Sequence, residues 1–250
     1  MEPYLLKAQN GYLMFTINRP EKRNAINYEI IDGLHEAIEM MKKPELKGLV
    51  ITGAGDNAFC SGGDLAVFHL LKTEQEAYGM LSKMSEILLR LLLLPKPTFA
   101  AMNGTAVGGG CELAAACDFR IAKKGVKAGF VQGKLAITTG WGGGTILAEK
   151  IPAANAIKML MEARVYQTEE LTNLGFIDYI IEENDLTFIH HIEKIFPLEG
   201  SVLAAYKAML IRKWLAANIA LRIEKEVREC AKLWGMEEHH NQVDKFMNNK

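Results

Sequence analysis

A single carboxylate lies inside a glycine-rich stretch of this chain. Residues 105–118 read TAVGGGCELAAACD, in which small and apolar residues surround Glu112. A helix that begins at such a glycine run presents unpaired backbone N–H groups and a partial positive charge. The Gly109 N–H can then receive negative charge on a substrate carbonyl, with Glu112 within reach as a proton carrier. The alternative is a closely packed helix start in which Glu112 only complements the helix dipole.

A second glycine-rich stretch precedes the first one along the chain. Residues 55–68 read GDNAFCSGGDLAVF and follow GLVIT, an apolar run typical of a buried strand. An oxyanion site needs two converging N–H donors, and Gly63 is the candidate for the second of them. Asp64 is expected to cap the short segment that follows it.

Alternating strands and helices must bring these two stretches together. Asn10-Gly11 between two apolar runs predicts a hairpin. Apolar spacing and helix-ending prolines predict helices at 27–43, 73–94 and about 109–116, and strands at 48–52, 97–104 and 118–122. This alternation favours parallel strands joined by right-handed crossovers.

The second half of the chain has a different pattern. After about residue 140 the sequence predicts one strand, at 176–181, while 184–195 and 200–248 are amphipathic and helical. We therefore expect an α/β body over residues 1–195 and a C-terminal helical region over residues 196–250.

Composition and charge exclude several classes of partner. The 250 residues carry a formal net charge of −1, and 49% of them are hydrophobic. This composition lacks the basic surface that nucleic acids or anionic membranes select. The four cysteines lie at no metal-binding spacing, and the N-terminus has no secretion signal. No apolar run is long enough to span a membrane either. We therefore expect a cytoplasmic protein, and the cysteine spacing leads us to expect no metal.

Three motifs resemble the crotonase superfamily, which is the enoyl-CoA hydratase/isomerase family. They are RPEKRNAI near the N-terminus, then FCSGGDL, then NGTAVGGGCELAAACDFRIA. The resemblance covers about residues 3–180 and, more loosely, the helical region. It implies a spiral ββα core followed by a helical region, acyl-CoA thioesters as substrates, and homotrimers or dimers of trimers. CoA would enter as part of the substrate, so the resemblance implies no separate cofactor.

The resemblance also implies roles for individual positions. Gly63 and Gly109 match the glycines that form the oxyanion hole, and Glu112 matches the first catalytic glutamate. Two further segments match those that hold CoA: Lys22, Arg23 and Ala25 at its adenine and phosphate end, and Ser61, Asp64 and Leu65 along the pantetheine path. Lys22 and Arg23 are charged donors of the kind that phosphates accept. The alternative for these two is a solvated basic turn.

The chain departs from the family at the second catalytic glutamate. The matching stretch reads FVQGKLAITTGWGGG, and Lys134 stands where that glutamate would be. From Phe119 to Ala148 the sequence contains no Asp or Glu, so no shift of the alignment restores the acid. A carboxylate from the helical region remains an open replacement.

Three reactions are compatible with one glutamate. The first, and the one we favour from the sequence, is hydration of a 2-enoyl-CoA with Glu112 as acid and base. The second is double-bond isomerisation, which needs one base. The third is decarboxylation of a malonyl-type CoA such as methylmalonyl- or ethylmalonyl-CoA, because loss of CO₂ generates the enolate without a base. A protein that binds CoA thioesters without turnover is the alternative outside catalysis.

Lys134 and Trp141 are the candidates that would shape the acyl pocket. Lys134 can hold a substrate carboxylate, point to solvent or pair with Glu112. Trp141 precedes a glycine run and resembles a WGG segment of family decarboxylases. Its indole can exclude water from the acyl group, or it can be a core aromatic at a helix start.

Overall fold

The structure is a computed structural model that describes residues 2–182 and 188–248. Nine strands are found in these residues: β1 (Tyr4–Gln9), β2 (Tyr12–Ile17), β3 (Gly48–Gly53), β4 (Ala58–Cys60), β5 (Thr98–Met102), β6 (Thr105–Val107), β7 (Phe119–Lys123), β8 (Ala128–Gly129) and β9 (Tyr179–Ile181). They form a six-stranded sheet in the order β1-β2-β3-β5-β7-β9 and a three-stranded sheet in the order β4-β6-β8.

The larger sheet confirms the predicted hairpin and the parallel crossovers. The strands β1 and β2 pair antiparallel around Asn10-Gly11, both of which have positive φ. Every other pair in this sheet is parallel. The predicted strand at 176–181 is shorter in the structure and covers Tyr179–Ile181.

The smaller sheet is not predicted from the sequence, and it positions the two glycine-rich stretches. Its strands contain three, three and two residues. Gly62 and Gly63 follow β4, while Gly108 and Gly109 follow β6, its parallel neighbour. The carboxyl ends of the two neighbouring strands therefore carry both glycine loops.

Eleven helices occur in the described residues: α1 (Tyr28–Met40), α2 (Leu65–Phe68), α3 (Glu74–Leu92), α4 (Gly109–Ala116), α5 (Gly143–Lys150), α6 (Ala153–Glu162), α7 (Thr168–Asn173), α8 (Phe188–Ile195), α9 (Gly200–Ala216), α10 (Ile219–Trp234) and α11 (Glu237–Asn248). The bounds of α4 match the predicted ones. Thr73 and Glu76 form a capping box at the start of α3, which explains where that helix begins. The predicted helix at 184–195 lies partly outside the described residues.

The described part of the C-terminal region is helical, as expected, and it packs back onto the body. The buried face of α10 includes Ile223, Val227 and Cys230, which belong to the main hydrophobic core. The division at residue 195 stays a prediction. Within residues 2–182 and 188–248, no helix combines the length and apolar character that crossing a bilayer requires.

Candidate active site

The two glycine loops lie in direct contact with each other. A Cβ atom built on Gly62 would lie 3.1 Å from the Gly109 nitrogen, and Gly62 has φ +92°. A Cβ atom on Gly110 would lie 2.0 Å from the Cys60 carbonyl oxygen. Such contacts leave no room for a side chain. The glycines therefore allow the backbones after β4 and β6 to approach each other.

The backbone N–H groups of Gly63 and Gly109 are both unpaired. In the described part of the chain neither N–H donates to a protein acceptor. Gly109 is the first residue of α4, where the helix presents its partial positive charge. Two unpaired N–H groups on touching loops are the arrangement that stabilises a developing oxyanion.

The indole of Trp141 lies against both glycines. A Cβ atom on Gly109 would lie 2.2 Å from Trp141 Cζ3, and one on Gly63 would lie 3.6 Å from Trp141 Cζ2. Trp141 is 4% exposed, and Phe68 closes the same side of Gly63. The structure thus brings three of the predicted site residues together and gives the glycine pair an apolar, water-excluding neighbour.

Glu112 is buried on α4, the helix that begins at Gly109, and four hydrogen-bond donors surround its carboxyl group. Its Oε2 accepts from the N–H groups of Trp141 and Gly143, at 2.9 Å each. Its Oε1 accepts from Gln132 Nε2 at 2.9 Å and from the Gly140 N–H at 3.4 Å. The carboxyl is therefore held in one orientation by the segment that leads into α5.

The protonation of Glu112 reflects two opposing effects. Burial, followed by the negative charge of Glu226, raises the pKa of Glu112 to about 7 from its ordinary 4.5. The N–H groups of Gly143 and Trp141 and the Gln132 amide stabilise the carboxylate and lower the pKa, but burial outweighs them. Near neutral pH the group can therefore both give and take a proton.

Gln132 contacts Glu112, although the sequence pointed to Lys134 in this stretch. Both residues lie on one 3-10 turn, Gln132–Leu135, in which Gln132 is half-buried and Lys134 is exposed. In the described residues Lys134 makes no ion pair with Glu112. The Oε1 atom of Gln132 is buried and has no hydrogen-bond partner in the same residues. If the oxygen and nitrogen of this amide exchange places, it can accept a hydrogen bond from neutral Glu112, just as it now donates one to the carboxylate.

The segments expected to hold CoA lie side by side. The Ser61 N–H donates to the Arg23 carbonyl at 3.1 Å, and Ser61 Oγ lies 3.4 Å from the Lys22 carbonyl. Lys22 and Arg23 are exposed, whereas Ala25 is buried and Leu65 half-buried.

Asp64 has the capping role predicted for it. Its Oδ1 accepts from the Ala66 N–H, and its Oδ2 pairs with Arg19 at 2.7 Å. Both carboxylate oxygens are thus engaged within the protein, and Asp64 is 6% exposed.

A carboxylate from the helical region does lie near Glu112, and the sequence did not identify it. Glu226 of α10 accepts hydrogen bonds from Thr139 Oγ1 at 2.6 Å and from the N–H groups of Gly144 and Thr145 at 3.0 and 2.6 Å. Glu149, by contrast, is paired with Lys213 and Arg222. Across residues 2–182 and 188–248, no group of three or more His, Cys, Asp or Glu side chains could hold a metal ion.

Comparisons with known proteins identify the family and the fold of this chain. Residues 7–246 match the family described as enoyl-CoA hydratase/isomerase. The structure of an enoyl-CoA hydratase from Bacillus halodurans superposes with a TM-score of 0.87, at 24% identity, over 97% of this chain and 99% of that one. This match confirms the expected crotonase-like α/β fold with a C-terminal helical region.

Relatives with two different activities are similar to this chain. The ethylmalonyl-CoA decarboxylase of Mus musculus is 34% identical over 92% of this chain and 73% of its own length. The short-chain-enoyl-CoA hydratase of Clostridium acetobutylicum is 32% identical over 73% of this chain and 70% of its own length. The chain belongs to the enoyl-CoA hydratase/isomerase family and is an acyl-CoA enzyme of the crotonase type.

Proposed function

We propose that this protein decarboxylates a malonyl-type acyl-CoA, such as ethylmalonyl- or methylmalonyl-CoA, through a thioester enolate. The observation that carries the proposal is that no second acid contacts Glu112 in the described residues, because the nearby carboxylate of Glu226 is engaged by Thr139, Gly144 and Thr145. Glu112 is buried with a pKa near 7, and the side chain hydrogen-bonded to it from the segment expected to supply a second glutamate is the amide of Gln132. An amide cannot serve as a general base, so a reaction that needs one proton carrier fits best.

The chemistry follows from the positions of these groups. The bond between Cα and the carboxylate carbon breaks, CO₂ leaves, and the electron pair passes into the thioester to give an enolate. The N–H groups of Gly63 and Gly109 stabilise its oxyanion, and one such donor is worth about 3–4 kcal/mol of the barrier. Glu112 then delivers its proton to Cα, which yields the saturated acyl-CoA. The carboxylate regains a proton from solvent.

The apolar surroundings support loss of CO₂. Trp141 lies against both glycines and is buried, so the acyl group would meet an indole face rather than water. A carboxylate removed from water is destabilised, whereas the neutral CO₂ that it releases is not. The similarity to the ethylmalonyl-CoA decarboxylases of Mus musculus and Xenopus tropicalis, each 34% identical over 92% of this chain, points in the same direction.

Hydration of a 2-enoyl-CoA is the second candidate. The similarity to the short-chain-enoyl-CoA hydratase of Clostridium acetobutylicum favours it, as does the retained Glu112. Hydration, however, needs water activated at the β-carbon and a proton delivered at the α-carbon, and each acid or base contributes about 100- to 10,000-fold. With Gln132 beside Glu112, we expect this reaction to be the slower of the two.

A paired assay on the purified protein tests the proposal. One reaction holds ethylmalonyl- or methylmalonyl-CoA and is followed by CO₂ release, and the other holds crotonyl-CoA and is followed by loss of the enoyl absorbance. We expect CO₂ release that Glu112→Gln reduces at least about 100-fold. Fast hydration without CO₂ release would refute decarboxylation. Binding of both thioesters without turnover of either would indicate a protein that binds CoA esters without catalysis.

We propose the same binding mode for CoA that the resemblance implied. The exposed Lys22 and Arg23 would meet its phosphates, and Ser61 and Leu65 would line the pantetheine, with CoA entering as part of the substrate. Replacing Lys22 and Arg23 together by Gln should raise KM and leave kcat unchanged. An unchanged KM would remove this assignment.

A homotrimer or dimer of trimers remains our proposal for the assembly. On α9, Tyr206, Met209 and Leu210 are 63%, 58% and 49% exposed, so one helix presents several large apolar side chains to solvent. Size-exclusion chromatography with light scattering measures the molar mass and so tests the assembly. A monomer at micromolar concentration would refute it.

A further inference from the structure

Two carboxylates share the N-terminal turn of one helix, α5. Glu112 accepts from the N–H groups of Trp141 and Gly143. Glu226 accepts from the next two N–H groups, those of Gly144 and Thr145. The first carboxylate comes from the body of the protein and the second from α10 in the helical region.

The glycine run before and inside α5 makes this double contact possible. A Cβ atom on Gly143 would lie 2.3 Å from Glu112 Cγ. One on Gly144 would lie 2.6 Å from Thr139 Oγ1 and 3.3 Å from Glu226 Oε1. A side chain at either position would therefore push one of the two carboxylates away from the helix start.

Helix α10 also holds the rest of the segment that surrounds Glu112. Cys230 Sγ lies 3.3 Å from the Thr138 carbonyl oxygen. A Cβ atom on Gly142 would lie 2.6 Å from Ile223 Cγ2, which packs there. Residues 138–145 are thus fixed between α10 on one side and Glu112 on the other.

We propose that Glu226 is a positioning residue for Glu112: it fixes the Thr139–Thr145 segment whose N–H groups hold Glu112, and it places a second negative charge at the same helix start. The role rests on the proposed function, in which Glu112 carries the proton. Glu226 itself touches no reacting atom in this mechanism.

The charge of Glu226 matters because the other groups around Glu112 are neutral or exposed. The titratable groups that interact with it in the described chain are Glu226 and the thiols of Cys111 and Cys230. Burial raises the pKa of both thiols, so they are neutral at physiological pH. Gln132 is uncharged, and Lys134 on the same turn is exposed. Glu226 is therefore the charged group with the largest effect on Glu112, and it acts in the direction of protonation.

The charge-removing variant Glu226→Gln tests this part directly. The amide oxygen can still accept from the Thr139 hydroxyl and the Gly144 N–H, which share Oε1 of Glu226, whereas the Thr145 N–H loses its acceptor. Two of the three contacts are thus kept while the charge is lost. Glu229→Gln is the matched control, because Glu229 lies on the same helix with its side chain 65% exposed and paired with Lys232. Infrared difference spectra against Glu112→Gln in each background report protonated Glu112 as a function of pH, without any substrate.

The expected result is a lower titration midpoint for Glu112 in Glu226→Gln only. The ratio of protonated to ionised Glu112 at pH 7 should fall about threefold or more, as for loss of one nearby like charge. An unchanged midpoint, or an equal change in Glu229→Gln, overturns the electrostatic part. Because this readout is independent of turnover, it stands even when neither thioester in the paired assay reacts.

A second variant tests positioning. Glu226→Asp keeps the charge but is too short to reach all three of its donors at once. We expect kcat to fall at least about tenfold with KM and the Glu112 midpoint unchanged, since misplacing a catalytic group costs rate rather than substrate affinity. An unchanged kcat would overturn the positioning part. Should Glu226→Gln not fold, Glu226→Asp still decides it.

Discussion

Protonation of Glu112 should be visible in the stability of the protein, even without a substrate. The pKa is about 7 in the folded protein, against an ordinary value of 4.5. The folded state therefore holds its proton more tightly than the unfolded chain does. Between these two values the free energy of unfolding must fall as pH rises, and the whole penalty is present above pH 7. An ordinary surface carboxylate in an ion pair has the opposite effect, because its lowered pKa makes the free energy of unfolding rise with pH.

The magnitude follows from the difference between the two pKa values. Each unit corresponds to 1.36 kcal/mol, so Glu112 alone should lower the free energy of unfolding by about 2–3 kcal/mol between pH 5 and pH 8. Glu112→Gln removes the titration and can keep three of the four hydrogen bonds, while the long one from the Gly140 N–H, at 3.4 Å, loses its acceptor. The amide oxygen of the variant can accept from the N–H groups of Trp141 and Gly143. Its N–H₂ can donate to Oε1 of Gln132, which has no partner in the described residues, once the oxygen and nitrogen of the Gln132 amide exchange places.

Urea unfolding of the parent and of Glu112→Gln at pH 5, 6, 7 and 8 measures the effect. Other titrating groups are common to both proteins, so the difference between the two curves isolates Glu112. We expect the variant to gain about 2–3 kcal/mol on the parent from pH 5 to pH 8, with m-values unchanged. Parallel curves would show that the four donors keep Glu112 ionised throughout, and they would refute its role as a proton donor at neutral pH.

Three further changes test the site. Gln132→Glu would place a second carboxylate against Glu112. The pH above which CO₂ release falls should therefore move upward, and the rate of crotonyl-CoA hydration should rise. A pH profile of CO₂ release equal to that of the parent would contradict the contact between these two side chains. Gly109→Ala forces a Cβ into the indole at 2.2 Å and should cost more than about 2 kcal/mol of stability by urea unfolding, whereas Gly79→Ala, with nothing within 4 Å, should gain about 0.5–1 kcal/mol. Lys134→Ala should leave kcat/KM unchanged, because the side chain is exposed; a loss above tenfold would show that it reaches the substrate.

The sequence predicted the elements that have strong local signals. The helix predicted at about 109–116 is confirmed as Gly109–Ala116, since a glycine run marks its start and strand residues follow its end. The hairpin at Asn10-Gly11 was predicted because the turn needs residues that tolerate positive φ. The strands β4, β6 and β8 were missed, because two or three residues are too few to show a period.

Much of the candidate site was predictable, but its contacts were not. Gly63, Gly109, Glu112 and Trp141 were all identified from the sequence, and the structure brings them together. Gln132 was missed because sequence spacing does not predict where a side chain points in a short 3-10 turn. Glu226 was missed because its partner Gly144 lies 82 residues away along the chain.

The start of α5 shows why a glycine run at a helix N-terminus need not bind an external anion. Unpaired N–H groups at such a turn are an anion site in general. Here the N–H groups of Gly143, Gly144 and Thr145 are already taken by the carboxylates of Glu112 and Glu226. A phosphate or a substrate carboxylate would have to displace a buried glutamate to reach them. The N–H groups of Gly63 and Gly109, by contrast, donate to no acceptor within the described residues, so the proposed mechanism places the developing charge of the substrate there.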